Sequence, residues 1–242
     1  MTRPSVPFFD LRPLHGPGRE EILAAVARVA DAGSYMSEAE VSAFEVEFAA
    51  YCGVCDCVAA GSGTDALGLV LAGMGAGRPD LVLAAPTASP VVADAVLQAG
   101  PRLGFVDADP ATGLLDLQKL EDRLKASDLA RPLAVVATHL CGLVGDMDGL
   151  LGLAAKHEFI VIEDARQAHG SLNKGRKAGS FGFAAAFSFS PEKNLAALGQ
   201  AGAVTTCDQQ LSRAVRQVRD QGLAVGFSGR VEMADSQMDA VQ

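Results

Sequence analysis

The segment Ala184-Ala185-Ala186-Phe187-Ser188-Phe189-Ser190-Pro191-Glu192-Lys193-Asn194-Leu195 reads as an apolar strand that stops at a lysine. Upstream, Phe159-Ile160-Val161-Ile162-Glu163 is a second apolar strand and closes on Asp164. Earlier still, Cys57-Val58-Ala59-Ala60 runs into Gly61-Ser62-Gly63-Thr64-Asp65-Ala66-Leu67, a glycine-flanked turn that opens a helix. Further short apolar runs occur at Leu81–Ala84, Leu103–Val106 and Leu133–Val136. Helical patterns separate them, such as Asp116 to Lys125 with Leu117, Leu120 and Leu124 on one face. Strands apolar on both faces and alternating with helices predict an α/β fold: a mostly parallel sheet flanked by helices. Ligands in such sheets bind beyond the carboxyl ends of the strands, where Asp164 and the Asp107-Ala108-Asp109 turn fall.

The amino-terminal part predicts two more helices. One runs from about Arg19 to Asp31 after a Pro/Gly-rich arm. The other follows Ser37-Glu38-Ala39-Glu40, which has the form of a capping box. Its positions Val41, Phe44, Phe48 and Tyr51 recur at helical spacing.

The 242 residues carry 49% hydrophobic and 20% charged side chains, a globular balance. A net charge of −9 and a pI near 4.9 exclude a nucleic-acid footprint and a polybasic membrane patch. Met1 to Pro7 has no apolar run of the signal-peptide kind, and Leu81 to Leu97 is interrupted by Pro86, Pro90 and Asp94. A cytoplasmic protein is therefore expected. Cys52, Cys55 and Cys57 lie close together, but no second ligand pair accompanies them, so Cys52 and Cys57 read as small hydrophobes and no metal is expected. Five cysteines in an acidic chain of this kind argue against a disulfide framework.

The turn at Gly61 to Leu67 suits a structural turn or an anion site equally well. Free amides and the positive end of the helix dipole would favour a phosphate there, with the Thr64 hydroxyl added. No lysine follows as in a Walker motif, and the match to a dinucleotide fingerprint is partial. Asp164 could cap the next turn or bond a protonated pyridine nitrogen. Gln167 stands three residues on, within reach of a ring face or phenolic oxygen. Lys193 could be a solvated turn lysine or a desolvated, imine-forming amine. Ser188 needs a partner if buried, and a phosphate oxygen would serve. His139, at another strand end, suits a satisfied structural role better than a pocket wall. An anion turn, a carboxylate and a lysine, in this order along the chain, suggest a pyridoxal phosphate pocket.

These residues, almost end to end, resemble the DegT/DnrJ/EryC1/StrS sugar aminotransferases, fold-type I pyridoxal phosphate enzymes. The resemblance rests on Val6 to Leu11, the Glu40 to Tyr51 helix, Gly61 to Leu67, His139-Leu140-Cys141-Gly142 with Asp146-Met147-Asp148, Glu163 to Gly170, Phe187 to Leu198, and a weaker tail at Met238-Asp239. It implies the large domain of an aspartate aminotransferase-like fold over residues 36–242, preceded by an arm and helix over 1–35, with the small C-terminal domain absent or truncated. It implies catalysis by Lys193, as a Schiff base with pyridoxal 5′-phosphate, and by Asp164 at the ring nitrogen. Gly63, Thr64, Asp65 and Ser188 would hold the phosphate, and Gln167 the ring. The implied reaction carries an amino group from an amino acid, glutamate in most of the family, to a keto sugar that is nucleotide-linked. A homodimer is implied, with neither nucleic acid nor membrane as partner. Three positions depart from the family pattern: Ser89 stands where an aromatic ring is usual, Asp235 falls on an asparagine position, and Gln237 on an arginine position. These departures keep an alternative open, a truncated or catalytically impaired homologue serving as a non-catalytic partner subunit.

Overall fold

A computed structural model describes residues 7, 10, 16–33, 35, 38–126, 131–220, 223–224 and 232–233. The tail positions Asp235, Gln237, Met238 and Asp239, and the expected helix cap Ser37, lie outside the described residues. The chain divides into two compact units, Met1–Phe44 and Glu45–Gln242. In the first, α1 (Arg19–Ala32) ends where Gly33 takes a left-handed conformation at φ 63°, which glycine adopts without strain. Helix α2 (Glu38–Cys52) follows and carries the chain into the second unit.

The second unit is built on β1 (Asp56–Ala60), α3 (Gly63–Gly73), β2 (Leu81–Ala84), α4 (Pro90–Ala99), β3 (Arg102–Phe105), α5 (Leu117–Lys125), β4 (Ala134–Thr138), α6 (Met147–His157) and β5 (Ile160–Asp164). A small hairpin of β6 (Leu172–Asn173) and β7 (Arg176–Lys177) leads to β8 (Ala184–Ser188), β9 (Gly202–Thr206) and α7 (Gln209–Arg219). A two-residue pairing of β10 (Leu223–Ala224) with β11 (Glu232–Met233) completes the described elements. The seven-stranded sheet has the order β1-β9-β8-β5-β4-β2-β3. β9 is antiparallel to both of its neighbours, and the remaining pairs are parallel. The mostly parallel sheet expected from the sequence is therefore present, with one reversed strand.

Alternation along each strand divides the core between the two faces of the sheet. Val82, Ala84, Val136, Ile162 and Val204 pack with Leu67, Val70, Val96, Leu211 and Val215, under α3, α4 and α7. Leu81, Leu83, Val135 and Val161 pack instead with Leu120, Met147 and Leu150, under α5 and α6. Helices on both faces explain why the strands read as continuous apolar runs. Strand β9 and helix α7 have no counterpart in the sequence reading. β9 is short and ends Thr205-Thr206, so its pattern is weaker than those of its neighbours.

Contrary to the expectation from the cysteines, the fold contains a disulfide. Cys55 and Cys207, 152 positions apart, form a disulfide with Cα atoms 4.6 Å apart. They continue the β1–β9 register by one step beyond Asp56 and Thr206, so antiparallel pairing brings them face to face. Without β9 that pairing was invisible. Cys52 and Cys57 are free and buried as expected, and burial pushes the Cys52 thiol up to about 12. Among the described residues, no group of three or more His, Cys, Asp or Glu side chains is placed to hold a metal. No helix among them is long and apolar enough to cross a membrane.

One buried carboxylate ties the sheet to the loop before β8. Glu163, with no solvent exposure, accepts hydrogen bonds from the backbone amides of Gly179, Phe181 and Gly182, each at 2.7 Å. Its Oε2 also meets His139 Nε2 at 2.9 Å, which gives His139 the structural role expected for it. Removing the acceptor would strand three amides, two buried and one partly buried, each costing about 1–3 kcal/mol. Glu163→Ala is expected to lower stability by about 3–5 kcal/mol in urea denaturation with an unchanged slope, and Glu163→Gln by less. A loss below about 1 kcal/mol for the alanine variant contradicts this account.

Candidate functional site

The carboxyl ends of β1, β5 and β8 meet the amino end of α3. Ser62 caps that helix, its side chain accepting the Asp65 amide at 3.0 Å. The amides of Gly63 and Thr64 lie in the first turn, where an α-helix leaves N–H groups without intrahelical partners. Gly63 is required by close approach: a Cβ there would lie 2.6 Å from Ser188 Cβ and 2.7 Å from Arg166 Cδ. Gly202 is pressed equally hard, since a Cβ would fall 2.2 Å from the Ser62 carbonyl oxygen. The helix start, Ser188 and the β9 backbone are thus packed without spare volume.

A cavity of about 240 Å³ opens beside this junction, with Ser62, Gly63, Thr64, Ser89, Gln167, Ser188 and Lys193 among its walls. A second, of about 450 Å³, adjoins it at Gln167, Glu192 and Lys193 and reaches Cys141 and His169. The structure therefore brings together Gly63, Thr64, Gln167, Ser188 and Lys193, five of the residues singled out in the sequence. Asp65 is exposed and lies off the cavity wall. Asp164 is buried behind the wall, and Arg166 stands between it and the open space. Ser89, at the expected aromatic position, does line the cavity, and its side chain caps α4 through the Val91 amide at 3.4 Å. A third cavity, of about 170 Å³, lies at the amino ends of β2 and β4 and holds none of these residues.

Lys193 is mostly buried, with 21% of its side chain exposed, and its Nζ lies 3.3 Å from Glu192 Oε1. Glu192 is fixed in turn by the Ser190 hydroxyl at 2.6 Å, and that bond leads the causes that hold its carboxyl below the usual range. The Ser188 and Ser190 hydroxyls are 3.2 Å apart. Gln167 accepts the Cys141 amide at 2.9 Å through its side-chain oxygen. That leaves its amide nitrogen as the donor available to the cavities.

Three polar residues of this region were not weighed as site residues in the sequence: Arg166, His169 and Glu192. The signal for Arg166 was its place directly after a strand-end carboxylate, amid the small residues Ala165 and Ala168. His169 lies between Phe187 and Phe189, 5.4 Å from each ring centroid. Its ring nitrogens are buried and neither meets a partner at hydrogen-bond geometry, although the Ser188 backbone is close enough to oppose the shift. Burial dominates and holds the imidazole below its ordinary 6.5.

A lysine, a serine and a helix start converge at the carboxyl edge of a mostly parallel sheet. Residues 17–241 match the model of the DegT/DnrJ/EryC1/StrS aminotransferase family, and the chain belongs to that family. It is 38% identical over 239 residues to the dTDP-3-amino-3,4,6-trideoxy-alpha-D-glucose transaminase of Streptomyces venezuelae, covering 99% of this chain and 62% of that one. It is 37% identical to the UDP-N-acetyl-3-dehydro-alpha-D-glucosamine 3-aminotransferase of Acidithiobacillus ferrooxidans, covering 98% and 63%. The chain thus spans less than two thirds of the length of these relatives. The crystal structure of Streptomyces venezuelae DesV with a ketimine intermediate superposes with a TM-score of 0.86 at 38% identity, over 98% of this chain and 62% of that one. NtdA of Bacillus subtilis, solved with the cofactor PMP, superposes at 0.83 with 27% identity, over 97% and 52%.

Pyridoxal 5′-phosphate is the cofactor of this family. The helix-start amides of Gly63 and Thr64 and the Thr64 and Ser188 hydroxyls, all on residues of one cavity wall, fit its phosphate end. The amine is present in Lys193. A carboxylate, Asp164, lies behind the wall and is paired with Arg166.

The His169 geometry has a pH consequence. With the folded-state value depressed, the unfolded chain binds more protons below pH 6.5. Stability is therefore lost as pH falls from 6.5 through the depressed value, and is unaffected above it. His169→Gln is expected to flatten the decline of Tm with acidification below pH 6.5; parallel profiles for the two chains contradict this.

Proposed function

We propose that this chain holds the cofactor of a pyridoxal phosphate-dependent aminotransferase that moves an amino group from an amino acid, glutamate by preference, to a keto group on a nucleotide-linked sugar. The observation that carries the reading is Lys193 on one cavity wall with Gly63, Thr64 and Ser188. Membership of the family and the sugar-nucleotide substrates named for its relatives support the acceptor class.

When bound, pyridoxal phosphate supplies an electron sink for the carbon–hydrogen bond broken in amino transfer. The chain's own residues do the rest. The Gly63 and Thr64 amides, with the Thr64 and Ser188 hydroxyls, hold a phosphate at the positive end of α3, and Asp65 adds a negative charge outside that cup. Lys193 Nζ would hold the cofactor covalently. The same amine, once free, would serve as the base that takes a proton from the donor carbon and later returns it. Glu192 holds Nζ toward the two cavities. Gln167 would orient the ring from the cavity wall, and Asp164 is the carboxylate that would meet its nitrogen once free of Arg166. Residues 36–242 serve as the large domain, residues 1–35 as arm and helix, and the working protein is a cytoplasmic homodimer of the family type.

The purified chain mixed with pyridoxal phosphate is expected to develop a long-wavelength absorption band that Lys193→Ala abolishes. Borohydride reduction followed by peptide mapping is expected to mark Lys193, and glutamate is expected to shift the band. A labelled lysine elsewhere, or no band, contradicts the proposal.

A further inference from the structure

Asp164 already has a cation. Arg166 grips it with a two-pronged fork: Nε donates to Oδ1 at 2.6 Å and Nη2 donates to Oδ2 at 2.9 Å. The Thr138 hydroxyl donates to Oδ2 at 3.2 Å, and the Arg166 amide reaches Oδ1 at 3.4 Å. Both side chains are nearly sealed from water, with 7% and 4% exposure. A bidentate guanidinium–carboxylate pair of this kind is the strong form of the interaction, because both bonds are charge-assisted and the planar groups match.

The path of the Arg166 stem matters as much as its end. Arg166 Cδ and Cγ lie 2.7 and 3.1 Å from where a Gly63 Cβ would stand. The side chain therefore spans from the first turn of α3 to the carboxylate at the end of β5. That is the span a ligand must bridge if its phosphate sits at α3 and its ring nitrogen at Asp164. Accordingly Arg166 lines the 240 Å³ cavity, and Asp164 does not. A protonated ring nitrogen can offer one charge-assisted bond in place of two.

We propose, resting on the cofactor reading above, that Arg166 is an internal occupant of the ring-nitrogen position. It competes with pyridoxal phosphate for Asp164 and weakens cofactor binding. The chain then holds the cofactor through Lys193 and the phosphate cup, and the Asp164 contact is made only when Arg166 is displaced. Removing the guanidinium leaves a buried carboxylate without its counter-ion in the cofactor-free chain, a debt that ring-nitrogen binding relieves.

The experiment titrates pyridoxal phosphate into the parent chain, Arg166→Ala and Arg166→Gln, reading the dissociation constant from the absorption band and Tm with and without cofactor. Both variants are expected to bind about tenfold more tightly or better, as one charge-assisted hydrogen bond is regained. Their cofactor-free Tm is expected to fall below the parent's, and their gain in Tm on adding cofactor to exceed it. Arg166→Gln keeps a side-chain stem and a neutral donor, so it reports even if the alanine variant does not fold. Binding by the variants that is equal to or weaker than the parent's, with the lysine-linked band present in all three chains, overturns the role of Arg166 alone. Absence of that band from all three overturns the cofactor reading and this inference with it.

Discussion

The Glu163 carboxylate sets the register on which the site depends. It sits on β5 and takes the amides of Gly179, Phe181 and Gly182 from the segment that turns into β8. Those bonds fix β8 beside β5 in a register that places Asp164 opposite Ala186. Ser188 then follows two residues beyond, against Gly63, and the chain continues to Lys193. A buried carboxylate with three amides and a histidine has its hydrogen-bonding capacity filled, so any shift of β8 leaves several groups unpaired at once. Chemistry at the strand ends inherits its geometry from this contact one residue away.

Much of that geometry was legible in the sequence, because parallel strands buried on both faces leave continuous apolar runs. Leu81–Ala84 was read with the bounds the structure has, and Leu133–Val136 and Phe159–Ile162 were displaced by one or two residues. Asp164 at the end of β5, and Lys193 in the turn five residues past the end of β8, gave the site its two poles. The missing pieces were those whose signal is not local. Strand β9 is five residues long with threonines at its end, and only its position between β1 and β8 makes it a core strand. Helix α7, capped by Asp208 and carrying Leu211 and Val215 inward, had a readable pattern that the sequence reading passed over. The Cys55–Cys207 pairing depended on β9 and went with it.

At the site, sequence order identified which residues converge but not which of them are already paired. Arg166 stood inside the motif that marked Asp164, yet its consequence is conformational: two residues beyond the carboxylate, the side chain folds back and clasps it. Spacing alone cannot distinguish that from an arginine pointing to solvent. Asp65 shows the converse. It belongs to the turn by sequence, but the helix geometry turns it outward while Gly63 and Thr64 face the cavity. His169 gained its character from two phenylalanines of another strand segment.

The most direct test of the central claim is a crystal structure of the chain grown with pyridoxal phosphate. The account predicts electron density continuous from Lys193 Nζ into the ring, with the phosphate against Gly63, Thr64 and Ser188. Density at another lysine, or a phosphate bound away from the start of α3, would contradict it.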